Sequence, residues 1–269
     1  MTGSAARRRA LVTGASSGIG LAFATVLAEH GCDLILTARR AERLDQIAAD
    51  LRQRFGIEAA VMPADLSDRH ASERLTSEMS HRSLHVDILI NNAGYGVPGR
   101  YSATTWAEQE KFLQVLVAAV AELSHRLLPA MVERRWGRII NVASLAGLLP
   151  GVAGHTLYAA AKAFVIKFSE SLALETAPYG IHVTASCPGF TRSEFHDVTG
   201  TRAQVDTMPA FMWLDADAVA RGSYEAVMTG RPVYVPGGVN RTLSRLGRFL
   251  PRPVVAGLMT RSAGKFRRV

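Results

Sequence analysis

Glycines 14, 18 and 20 restrict what this chain can fold into more than any other feature. They stand between the apolar run Ala10-Leu11-Val12 and a stretch of helical periodicity from Gly18 to Glu29. A strand that turns on glycines directly into a helix opens a βαβ unit. Glycine permits the tight turn, and without a Cβ the backbone can approach a phosphate at the positive end of the helix. An ordinary strand–turn–helix would carry the same glycines, so the remainder of the chain has to decide between the two.

The same alternation runs on. Asp33–Thr37 reads as a second strand, Ala41–Phe55 as a charged amphipathic helix and Ala59–Met62 as a third strand, with a helix from about Asp68. Val86–Ile90 and Arg138–Val142 are strands four and five, separated by one or two long helices over Thr105–Glu133 that Pro129 should interrupt. Tyr158–Pro178 follows as a helix, Ile181–Ser186 as strand six, Asp215–Met228 as a helix and Val233–Val235 as a last strand. Strands alternating with helices predict an α/β fold with a parallel sheet covered on both faces. A single domain over residues 1–237 is expected, with an appendage over 238–269.

The end of strand two indicates which nucleotide the turn would serve. A carboxylate there would accept the ribose hydroxyls of NAD. The residues present are Thr37-Ala38-Arg39-Arg40. Arg39 suits a 2′-phosphate, through a charge-assisted bond, and NADP(H) is the expected cofactor; Arg40 reads as a bystander. Candidate contacts along the first turn are Gly14, Ser16, Ser17, Gly18, Ile19 and Gly20.

Tyr158 and Lys162 are four residues apart and share one helix face. An ammonium beside a phenol stabilises the phenolate, bringing a group that titrates near ~10 toward the working pH. Alone the pair also fits a solvated helix face. Together with Thr13–Gly20, Asn91-Asn92-Ala93-Gly94 and Ser144, in that order, it describes one nucleotide-dependent site.

In these motifs the chain resembles the short-chain dehydrogenase/reductase family, over about residues 8–236. Thr13–Gly20 matches its glycine motif, Asp65-Leu66 its adenine-side pair and Asn91–Gly94 its NNAG. Ser144, Tyr158 and Lys162 match its catalytic residues, and Pro188-Gly189 with Thr191 its later PG motif. The resemblance implies a Rossmann-type doubly wound sheet of about seven strands and interconversion of a carbonyl and a secondary alcohol. It implies that Ser144 bonds the substrate oxygen, Tyr158 passes the proton, and Lys162 holds the nicotinamide ribose and tunes Tyr158. Asp65 and Leu66 would flank the adenine, Asn92, Ala93 and Gly94 would support the cofactor, and Thr191 would contact the carboxamide. A homodimer or homotetramer would be usual. The chain departs from the family at Leu116, where an asparagine ordinarily completes the proton relay. A working enzyme with a modified relay is expected; the alternative is an NADP-binding protein that has lost catalysis and serves regulation or membrane scaffolding.

The aromatics and methionines of Phe190–Phe195 and Met208–Trp213 suit a bulky, apolar substrate, or equally a loop packed on the core. His155 reads as a structural or solvated histidine, and no histidine group has metal-ligand spacing. Two cysteines, Cys32 and Cys187, make no disulfide framework and suit a reduced cytosol, so a cytoplasmic location is expected. The uncharged run Ile139–Ala161 holds Asn141, Pro150 and three glycines, a poor composition for a membrane span.

Of the 31 Lys/Arg, nine lie from Ala226 onward, where none of the 23 Asp/Glu occurs. The tail helix Val239–Leu250 alternates apolar and arginine positions, which fits subunit packing first, then an anionic membrane surface or an acidic carrier. Nucleic acid is not expected as a partner, because no recognised reading module accompanies the charge.

Overall fold

The computed structural model describes residues 7–97, 100–151, 156–194 and 209–249. Seven parallel strands form one sheet: β1 Arg9–Thr13, β2 Asp33–Thr37, β3 Ala59–Val61, β4 Ile88–Asn91, β5 Gly137–Val142, β6 Ile181–Ser186 and β7 Val233–Tyr234. The helices are α1 Gly18–Glu29, α2 Ala41–Phe55, α3 Ala71–His81, α4 Trp106–Leu113, α5 Ala119–Glu133, α6 Thr156–Thr176, α7 Ala216–Met228 and α8 Gly238–Phe249. The spatial order is β3-β2-β1-β4-β5-β6-β7. The order of succession thus reverses between β1 and β4, the switch point beside whose carboxyl ends sheets of this kind form their crevice.

Period-two alternation distributes the strand residues between two layers. Val12, Leu36, Ile90 and Ile140 pack with α1, α2 and α7, while Leu11, Ile35, Leu89 and Ile139 pack with α3 to α6. Every residue of β2 and β5 is buried, as expected of strands covered on both faces.

The long helix differs from its sequence reading. Pro129 does not interrupt it: α5 runs through that residue, which sits on the exposed side of the helix. The irregularity falls earlier, in a π turn over Gln114–Ala118 between α4 and α5. Leu116 is the middle residue of that turn and is almost fully buried. The third helix also begins later than expected, at Ala71, because the Asp68 carboxylate accepts the backbone N–H of His70 and holds a turn. Strand four is displaced toward its carboxyl end, to Ile88–Asn91, where Ile88 and Asn91 pair with Arg138 and Asn141 of β5.

Candidate active site

The first turn is built as its glycines require. Gly14 and Gly18 have φ of 66° and 56°, the left-handed region. A Cβ on Gly20 would lie 2.2 Å from the carbonyl oxygen of Gly14, so any side chain there would push the turn apart. Thr13 joins this turn to the end of β4: its Oγ1 donates to the Ile90 carbonyl at 3.1 Å and accepts the backbone N–H groups of Asn92 and Ala93 at 2.9 and 3.0 Å. The Asn92 amide donates back to the carbonyls of Thr13 and Gly14, at 2.9 and 3.3 Å. The motifs after β1 and β4 therefore form one rigid floor.

At the end of β2, Arg39 is exposed, and its charge acts on the Tyr95 phenol, as does that of Asp65. The chain after β2, β3 and β4 thus brings these three groups into electrostatic reach of one another. Burial raises the Tyr95 phenol above its ordinary value, with Arg39 opposing and Asp65 reinforcing. Asp65 is exposed and its Oδ1 accepts the backbone N–H of Ser67, whereas the Leu66 side chain is buried in the core. Arg40 is engaged within the chain. Its guanidinium donates to Ser16 Oγ at 3.1 Å and pairs with Glu194 at 2.9 Å.

The opposite wall comes from β5, α6 and the chain after β6. Ser144 follows β5 in extended conformation, with its Oγ accepting the N–H of Ala146 at 3.2 Å. Its hydroxyl is also hydrogen-bonded to Tyr158 on α6. Lys162, one turn on, lies 5.8 Å from the centre of the Tyr158 ring. The expected electrostatics differ here. The Lys162 ammonium donates to the carbonyl of Val142 at 2.7 Å, and the Tyr158 phenol is raised by burial, with the Ser144 hydrogen bond alone pulling it down. Helical spacing sets Lys162 over the ring, but the nearest strong acceptor for its Nζ is the end of β5. Burial also pulls the Lys162 ammonium down from 10.5 to about 8.

Pro188 and Gly189 enter the crevice from β6, where the Pro188 carbonyl accepts the N–H of Leu145 at 2.9 Å. Thr191 is buried, donates to the Gly189 carbonyl at 3.1 Å and bridges to Leu214. Phe190 and Trp213 stack at a tilt with ring centres 5.9 Å apart, and Phe211, two residues before Trp213, is exposed. His155, Phe195 and Met208 lie outside the described residues.

A protein-family model described as short chain dehydrogenase matches residues 8–203. The chain belongs to the short-chain dehydrogenase family. This short-chain dehydrogenase is 36% identical over 241 residues to Nodulation protein G of Rhizobium sp. (strain N33), covering 86% of this chain and 96% of that protein. Its fold is similar to the short-chain dehydrogenase from Sphingobium yanoikuyae in complex with NADPH, with TM-score 0.80, 32% identity and 94% of each chain covered. It is also similar to the bulky-bulky ketone specific alcohol dehydrogenase from Comamonas testosteroni, with TM-score 0.76, 28% identity and 97% and 96% covered.

Three features of this short-chain dehydrogenase escaped the sequence reading. Asn91 donates to Asn141 Oδ1 at 2.8 Å and to Ser124 Oγ at 3.2 Å, and Asn141 donates to Ser169 at 2.9 Å, a buried chain from α5 over β4 and β5 to α6 on one face of the sheet. Two asparagines ending otherwise apolar strands were its available signal. Asn240, in the first turn of α8, is buried against Gly189: a Cβ on that glycine would lie 2.7 Å from both Asn240 amide atoms. Ser193 lies against Gly18 in the same way, 2.8 Å from where a Cβ would stand. Neither of these last contacts has a local sequence signal.

Proposed function

We propose that this chain is an NADP(H)-dependent oxidoreductase that interconverts a carbonyl and a secondary alcohol. The observation that carries the reading is the hydrogen-bonded Ser144–Tyr158 pair, with Lys162 beneath it, on the crevice wall facing the glycine turn. The residues present fit the cofactor. The cradle at Gly14, Gly18 and Gly20 leaves no room for a Cβ at Gly20, and β2 ends in arginines rather than a carboxylate. Gly14, Ser16, Ser17, Gly18, Ile19 and Gly20 would hold the pyrophosphate side, Arg39 the 2′-phosphate, and Asp65 with the backbone at Leu66 the adenine. Asn92, Ala93, Gly94, Pro188, Gly189 and Thr191 would enclose the nicotinamide side.

When bound, the cofactor supplies or accepts the hydride at the carbonyl carbon. The chain's own residues handle the oxygen. Ser144 donates to it, and Tyr158 delivers its phenolic proton as charge develops there. A phenol kept protonated by burial suits the reducing direction. Lys162, anchored on Val142 one helical turn from Tyr158, would hold the nicotinamide ribose. Leu116 stands at the position we assign to the relay asparagine, and its buried side chain has no polar atom to pass a proton. Resupply of Tyr158 then runs by another route.

A bulky, apolar substrate is supported by the Phe190–Trp213 pair and exposed Phe211, and by the bulky-ketone specificity named for the Comamonas enzyme. A homo-oligomer is supported by α8, where Val239, Leu243 and Leu246 share one exposed side. The second reading, a cofactor-binding protein without turnover, draws on the apolar Leu116.

The test is NADPH consumption against ketones and aldehydes graded in size and polarity, with Tyr158→Phe in parallel. Turnover by the wild type alone is expected, strongest on large apolar ketones. Tight NADPH binding with no turnover across the panel would favour the second reading.

A further inference from the structure

Arg40 joins three parts of the chain. It starts α2, it donates to Ser16 Oγ in the glycine turn at 3.1 Å, and it pairs with Glu194 at 2.9 Å. Ser16 is buried, so the guanidinium is held against the turn at the side where β2 ends. Glu194 reaches it because the chain after Thr191 folds back over the turn, with Ser193 seated on Gly18. Arg40 also lines a shallow open depression with Ala41, Glu42, Arg43 and Gln46, so its free side faces solvent.

We infer that Glu194 is a specificity-determining residue that competes with the 2′-phosphate of NADP(H) for Arg40. The inference rests on the NADP(H) reading given above. An arginine between a hydroxyl and a carboxylate, beside a phosphate cradle, has the chemistry of a phosphate ligand whose place is taken by a side chain. Arg40 and Glu194 are 54% and 45% exposed, so solvent screens their attraction and the pair is weak. A phosphate dianion offers more charge and a bidentate partner, and displaces the carboxylate. NADH has no group to do this.

Two consequences follow. Glu194 lowers the affinity for NADPH and leaves that for NADH unaffected. Binding of the 2′-phosphate also frees the segment Thr191–Glu194 from its tether at Arg40, so the phosphate is sensed by the chain that follows the Pro188-Gly189 motif. No bond is made or broken covalently; one ion pair is exchanged for another.

The experiment is a double-mutant cycle on the full chain, read by equilibrium binding rather than turnover. NADPH, NADH, adenosine 2′,5′-bisphosphate and adenosine 5′-phosphate are titrated against wild type, Glu194→Gln, Arg40→Gln and the double variant. Glu194→Gln should tighten NADPH and the bisphosphate by roughly 2- to 10-fold and change NADH and the monophosphate less than about 2-fold. Arg40→Gln should weaken the 2′-phosphorylated ligands, and in that background Glu194→Gln should have no further effect. An equal shift for ligands with and without the 2′-phosphate overturns the inference, as does a Glu194 effect that persists without Arg40. If wild type binds NADH as tightly as NADPH, the cofactor reading itself falls and the inference with it. A wild-type preference for NADPH with an inert Glu194 removes the inference alone.

Discussion

Lys162 donates its ammonium to the backbone carbonyl of Val142 at 2.7 Å, which fixes the lysine to the end of β5 rather than to the phenol one helical turn away. Helical spacing brings it to the Tyr158 ring, and the sheet holds its ammonium. Burial of this charge has a consequence for stability. Folded Lys162 releases its proton near pH 8, whereas the unfolded lysine holds it to about 10.5. Below pH 8 the charged lysine is penalised in the folded state. Between the two values the unfolded chain binds the extra proton, so stability rises with pH.

Lys162→Met should accordingly stabilise the cofactor-free protein at pH 7, by about 1–3 kcal/mol net of the lost hydrogen bond to Val142. The advantage should shrink from pH 8 upward and vanish above about pH 10.5. Urea unfolding at several pH values measures this, and a constant difference from pH 7 to 11 would remove burial of the ammonium as the cause.

Tyr158→Phe should lower kcat by about 10²–10⁴-fold with NADPH affinity nearly unchanged. Ser144→Ala should cost about 10²–10³-fold. It should also raise the Tyr158 phenol further, because the Ser144 hydrogen bond pulls it down in the wild type. Ultraviolet difference titration reads the phenol directly; a titration unchanged by Ser144→Ala would show that the pair does not interact.

Leu116 is 1% exposed and lies against Gly94, its Cδ1 3.8 Å from where a Cβ on that glycine would stand. Leu116→Asn places an amide in this apolar site, and should cost about 1–3 kcal/mol of stability unless the amide finds a partner. Turnover should be unchanged or modestly faster. A collapse of kcat in a variant that remains folded would show that the leucine supports the site in some further way.

Arg39→Ala should raise the Kd for NADPH about 10- to 150-fold, matching the loss of a charge-assisted bond of roughly 1.5–3 kcal/mol, with little change for NADH. Equal losses for both cofactors would sink the assignment of Arg39 to the 2′-phosphate.

Asn141 is fully buried and bonded to both Asn91 and Ser169. Asn141→Ala removes two buried hydrogen bonds, while Asn91 keeps Ser124 and Ser169 keeps the Val165 carbonyl, and should cost about 1–3 kcal/mol. The midpoint of urea unfolding should fall at constant slope. An unchanged midpoint would mean that the asparagine bridge contributes nothing net.

What was legible in the chain and what was not divide along a physical line. Asp33–Thr37, Ala41–Phe55 and Ile181–Ser186 have in the structure the bounds their sequences predict, because period-two and helical patterns are local signals. The glycine turn was legible for the same reason: a left-handed residue and a missing Cβ are properties of single positions. Ser144, Tyr158 and Lys162 were found through motif order, and their arrival on one wall follows from the strand order.

The sequence by itself thus determined the α/β alternation, the glycine cradle and the residue types that meet in the crevice. Only the tertiary structure decided that Lys162 binds Val142, that the long helix has its irregular turn around Leu116 and not at Pro129, and that Asn91 reaches Asn141. It likewise placed Arg40 between Ser16 and Glu194, 154 residues away from the latter along the chain. Each of these depends on which acceptor lies nearest once distant segments are packed. A side chain's reach is set by that packing, and no local pattern encodes it.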